Sequence, residues 1–189
     1  MAGALGPAVQ ENPPSKKDAD QFAGKIARIQ AIAQAPADLA RAPVRTVLTE
    51  AEVNAYLFWN KADVLPVGVT EPHIRLLGGG HVSADAVVDL TAIRNQRERG
   101  WMDPLAYVGG RVAVAASGVV GGRDGLATLE LSSATIGGVS VPKSVLQELV
   151  SHYTRSSAFP NGVNLDDPFP LPAAIRDVVV AKGEAVVIQ

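Results

Sequence analysis

The chain has 189 residues, no cysteine and a formal net charge of −2, with 47% hydrophobic but only 5% aromatic residues. That length suits a single domain able to bury about 70% of its unfolded surface without a metal or disulfide staple. Thiol chemistry, iron–sulfur clusters and cysteine zinc sites are excluded, and the scattered basic residues (the densest group is Arg94, Arg97 and Arg99 around Glu98) do not form the cationic stripe that nucleic acid requires.

Residues 1–14 end in Asn12-Pro13-Pro14 and read as a flexible N-terminal tail. Residues 15–189 read as one α+β domain. Ser15 is placed to cap a helix over 15–35 with Phe22, Ile26, Ile29 and Ile32 on one stripe, ended by Pro36. A short strand from Val44 to Leu48 leads into Thr49-Glu50-Ala51-Glu52, the spacing of a capping box, and a helix that gathers Val53, Tyr56 and Leu57. Strand Val69–Leu77 and the Gly78-Gly79-Gly80 break follow.

From Val82 to Ala92 the chain alternates, with Val82, Ala84, Ala86, Val88, Leu90 and Ala92 on one face and Ser83, Asp85, Val87, Asp89 and Thr91 on the other. A period of two over this stretch predicts one strand running roughly 35 Å at about 3.3 Å per residue, whose apolar face carries mainly small side chains. After a polar loop from Asn95 to Asp103 that carries Trp101, strands Arg111–Val120 and Leu126–Ile136 are separated by a turn read at Gly121-Gly122-Arg123-Asp124-Gly125. Pro142 opens a helix striped with Val145, Leu146, Leu149, Val150 and Tyr153, to about Ser156. The unpatterned segment Phe159–Pro172 precedes a hairpin of Ile175–Val180 and Ala185–Ile188 turning at Lys182-Gly183. The expected architecture is a curved antiparallel β-sheet of about six strands, a meander plus a C-terminal hairpin, wrapped around amphipathic helices.

Chemistry-bearing motifs are few. His73 and His81 flank the triple glycine, but with Asp85 they match no metal-ligand spacing, and no metal or other cofactor is expected. No G-x-S-x-G elbow is present, and the glycine pairs have no strand–loop–helix phosphate context. Asp85 and Asp89 share a strand face that alternation makes solvent-facing. The chain reads as a non-enzyme. The apolar residues that alternation and helix striping bring together, Tyr56, Leu57, Val82, Ala84, Ala86, Val88, Leu90, Leu146, Leu149, Val150 and Tyr153, are the candidate lining of a ligand groove. The same residues packing on one another as a closed core is the plainer alternative.

Three passages resemble small exported bacterial proteins. Leu48-Thr49-Glu50-Ala51-Glu52-Val53-Asn54-Ala55-Tyr56-Leu57 is similar to their helix entry, Ile136-Gly137-Gly138-Val139-Ser140-Val141-Pro142 to their strand-to-helix switch, and Leu171-Pro172-Ala173-Ala174-Ile175 to their ending. Those proteins are the LmeA-like and YceB-like relatives of the tubular lipid-binding (TULIP, BPI-like) superfamily, and the resemblance spans roughly residues 44–189. It implies a curved sheet around a helix, an apolar groove that holds lipid, transient membrane contact, and a periplasmic or secreted location with a signal peptide already removed. No catalytic residue comes with it. The competing expectation is a cell-envelope interaction or scaffold domain without ligand, with an enzyme acting on an envelope glycan or lipid as a third reading.

Overall fold

The computed structural model describes residues 13–35, 42–95, 110–153, 155, 160–162 and 164–189, with the side chains at 93–95, 149 and 153 not included. The tail over 1–12, Pro36, the loop with Trp101 from 96 onward and part of the 159–172 connection lie outside the described residues.

Helix α1 (Lys16–Gln34) starts where expected, with the Ser15 hydroxyl accepting the Asp18 N–H at 3.3 Å. Strand β1 (Arg45–Thr49) passes into α2 (Glu50–Trp59) through a complete capping box. Thr49 Oγ1 accepts the Glu52 N–H at 3.2 Å, and Glu52 Oε2 accepts the Thr49 N–H at 2.9 Å. A single further turn, α3 (Lys61–Val64), is too short to show a period in the sequence. Strands β2 (Val69–Gly78) and β3 (His81–Asp89) form a hairpin.

The alternating run does not stay a strand to Ala92. Asp89 Oδ1 accepts the N–H groups of Thr91 and Ala92 at 2.9 and 3.0 Å, which caps the short helix α4 (Leu90–Asn95) and turns Leu90 into a buried helical residue. Strands β4 (Arg111–Arg123) and β5 (Leu126–Ile136) continue the meander. Gly121 and Gly122 are strand residues; the turn is Asp124-Gly125, both at positive φ (53° and 79°), as a tight hairpin demands. Short β6 (Val139–Ser140) and β7 (Phe169–Pro170) pair with β5, on either side of α5 (Lys143–Tyr153) in sequence. The chain closes with the hairpin β8 (Asp177–Ala181) and β9 (Glu184–Ile188).

Among the described residues the result is an α+β fold built on one curved, unclosed antiparallel sheet of nine strands, two of them only two residues long. The meander β2-β3-β4-β5 and the ribbon β1-β9-β8 meet through Gly122 opposite Val178 and a bridge from Leu77 to Lys182. Glycine lets the two parts approach closely at that join, since a Cβ on residue 122 would lie 3.0 Å from both the backbone N and the Cβ of Val178. Helix α1, helix α2 and the ribbon supply Ala19, Ile29, Ala55, Val180 and Val187 to the core. Over the centre of the meander the packing is thinner: Ala84 is exposed, and among the described residues no large side chain is fully buried.

Candidate functional site

The site grows from register. Ile74, Ala84, Ala116 and Ala134 sit opposite one another across β2, β3, β4 and β5. One pleat further along, Ala86, Val114 and Ile136 form a second transverse row. Alternation puts both rows on one side of the sheet. Leu57 of α2, Leu65 just after α3, and Leu146 of α5 approach from above. Between floor and roof lies a partly open trough of about 450 Å³ whose walls are almost wholly apolar. The floor is low because alanine is small, and among the described residues no side chain fills the space above it.

Polar contacts anchor the roof outside the trough. Asn54 Nδ2 donates to the Ile74 carbonyl at 2.8 Å while its Oδ1 accepts the Ile74 N–H at 2.8 Å, and Glu50 Oε2 accepts the Leu76 N–H at 2.6 Å. Two side chains one turn apart thereby stand in for a strand along the edge of β2, up to where the Leu77–Lys182 bridge takes over. Lys25 of α1 donates to both oxygens of Glu52, at 2.7 and 2.8 Å. Burial alone would raise the Glu52 pKa; Lys25 and the two Thr49 hydrogen bonds outweigh it and hold the carboxyl below its ordinary value. On the other side, the Val141 N–H donates to the Ala134 carbonyl at 2.9 Å, Lys143 pairs with Asp166, and Gln147 Oε1 accepts the Leu165 N–H at 2.7 Å.

The opposite face of the sheet carries polar pairs among small apolar residues such as Ala113 and Ala115. Arg75 pairs with Asp85 at 2.9 Å, Arg111 with Glu71 at 2.7 Å, and the hydroxyls of Ser117 and Ser133 lie 2.7 Å apart. Asp85 and Asp89 have separate tasks, the first an ion pair and the second a helix cap. His73 and His81 are exposed, and among the described residues no cluster of three or more metal-ligating side chains forms.

Of the candidate lining residues, Leu57, Ala84, Ala86 and Leu146 face the trough. Tyr56 turns instead to α1, its ring 4.8 Å from that of Phe22. Val82 lies one row toward the β2–β3 turn, opposite Leu76, and Val88 lies beyond the other end, opposite Val69 and Val112. Leu90 leaves the sheet in α4. Val150 is half-buried in α5 away from the trough wall, and the side chains of Leu149 and Tyr153 lie outside the described residues. Sequence reading missed Ile74, Val114, Ala116, Ala134 and Ile136. Each lay on an alternating strand, but the pairing that brings them to one place is not a local property. The chain matches no protein-family model, no curated protein and no solved structure.

Proposed function

We propose that this chain is a non-enzymatic carrier that holds an apolar molecule, the acyl tail of a lipid, between the sheet and helices α2 and α5. The observation that carries the reading is the unfilled apolar trough over an alanine floor in mid-sheet. Its volume, about 450 Å³, falls within the roughly 300–1,000 Å³ typical of small-molecule sites. Among the described residues His73, Asp85 and Thr135 reach its lining but present little polar surface to it, and the wall that remains suits hydrocarbon.

The energetics favour carriage over chemistry. Moving a ~16-carbon acyl chain out of water gains on the order of 12 kcal/mol at ~0.8 per methylene. Moving it out of a bilayer gains almost nothing, since the membrane is already apolar, so exchange with membranes runs near balance. The resemblance of three motifs to the TULIP relatives points the same way. It extends the reading to an exported carrier, periplasmic or secreted, in transient contact with membranes.

Native mass spectrometry of protein purified without detergent tests this. Lipid adducts that vanish on organic extraction are the expected result. A clean apo mass, together with no uptake of a fluorescent fatty-acid analogue, overturns it and leaves the envelope interaction domain, for which the exposed pair Phe58 and Trp59 on α2 offers a contact surface.

A further inference from the structure

The trough floor is graded along the strands. Toward the β2–β3 turn the row next to the alanines holds Leu76, Val82, Gly118 and Leu131, and toward the other end stand Val88 and Val112. Larger side chains on β2, β3 and β5 thus flank the alanine floor toward the turn, with Gly118 between them, and valines follow at the other end; Leu76 is buried while Ala84 is exposed. The open space lies over Ala84, Ala116 and Ala134, beneath Leu57 and Leu146.

We propose that Ala84, Ala116 and Ala134 are the specificity-determining residues of this trough: their methyl groups set its depth, and with it the number of methylenes of one unbranched acyl chain that fit. The inference rests on the carrier reading and adds a ruler to it. A methylene occupies about one water's share of liquid volume, ~30 Å³, so the trough's volume of about 450 Å³ takes on the order of fifteen. Methylenes beyond the ruler's length remain in water and add no affinity. Leucine in place of one floor alanine adds three carbons to the floor and removes the room for about as many from the ligand.

The test is a competition series of lysolipids with one head group and graded saturated chains, run against the full chain after organic extraction. In the wild-type protein affinity should rise about fourfold per added methylene and then level off. Ala116→Leu should move the plateau to chains about three carbons shorter. Ala113→Leu, on the exposed opposite face of β4, should leave it in place. Ala84→Val, at an exposed position that tolerates added bulk, should shift the plateau by about two carbons and serves if Ala116→Leu does not fold. Plateaus that coincide in wild type, Ala116→Leu and Ala84→Val overturn the ruler while leaving the carrier intact. No binding of any chain to the wild type overturns both.

Discussion

Asn54 of α2 and Ile74 of β2 exchange a pair of hydrogen bonds, side-chain amide to backbone amide, both at 2.8 Å. The Asn54 carboxamide supplies one donor and one acceptor, the same set a neighbouring strand would present, so it caps the sheet edge as a one-residue strand. The pair also fixes the helix that carries Leu57 over the trough. Asn54→Leu, similar in size, leaves both backbone groups of Ile74 without these partners. Urea unfolding should show a loss of about 1–3 kcal/mol, and amide exchange at Ile74 should accelerate more than at Arg75, which faces β3. Unchanged exchange at Ile74 would show that the amide pair does not hold the helix.

Glu52 joins three elements at once, capping α2, closing β1 and binding Lys25 of α1. Its side chain is 8% exposed, so removing the carboxylate strands a lysine and the Thr49 N–H. Glu52→Gln keeps most of the shape and deletes the charge; the expected cost at neutral pH is about 1.5–3 kcal/mol, as for hydrogen bonds to charged groups. The native carboxyl holds its proton less tightly than the unfolded one, near 4.5. The stabilisation is therefore complete above that value and fades as pH falls through the lower native one. Wild type and Glu52→Gln should accordingly differ in urea midpoint at pH 7 and converge in acid. A difference that persists at low pH would remove the charge from the explanation.

What the sequence revealed sorts by the distance over which its causes act. The capping box was legible because Thr49 and Glu52 are three residues apart and satisfy each other. Ala84 and Ala86 were legible as one face of one strand. Ala116 was legible as one face of its own strand, with Val112 and Val114, but its place opposite Ala84 was not, and the place of Ala134 depends on a register shift between β4 and β5 at Ser117 and Gly118, where a Cβ on residue 118 would stand 2.6 Å from the Glu130 carbonyl oxygen. The strand was read too long at Leu90 because alternation continues through a residue that Asp89 has already capped into a helix. Gly121-Gly122 looked like a turn, since the reason for glycine there, Val178, lies far along the chain.

That join predicts a specific weakness. A side chain at residue 122 meets Val178 backbone as well as the Leu171 side chain, at 3.0 and 3.1 Å from the first carbon, and backbone cannot give way by a rotamer change. Gly122→Val should push β8 off β4 and destabilise the fold by about 1–3 kcal/mol, the usual cost of overpacking. The strain should be local: exchange protection should fall at the Gly80 and Gly125 amides, which bond to Val180 and Arg176, while the β3–β4 ladder keeps its protection. Uniform loss across the sheet would mean that the ribbon and the meander unfold as one unit.

Ala116→Leu separates an unfilled trough from a closed core through stability alone. In a close-packed interior the extra carbons have nowhere to go, and such insertions cost about 1–3 kcal/mol. Here the leucine would project from the floor into open apolar space below Leu57 and Leu146. Each methylene it buries there gains up to about 0.8 kcal/mol, offset in part by the side-chain entropy lost on ordering. The comparison requires extracted protein, because a bound lipid stabilises the native state in proportion to its own affinity and would mask the change. In extracted protein the urea midpoint should hold or rise, and added lipid should then raise it less in the variant than in the wild type. A midpoint that falls by the overpacking amount would show that α2 and α5 close onto the alanine floor in solution, leaving no room for a tail.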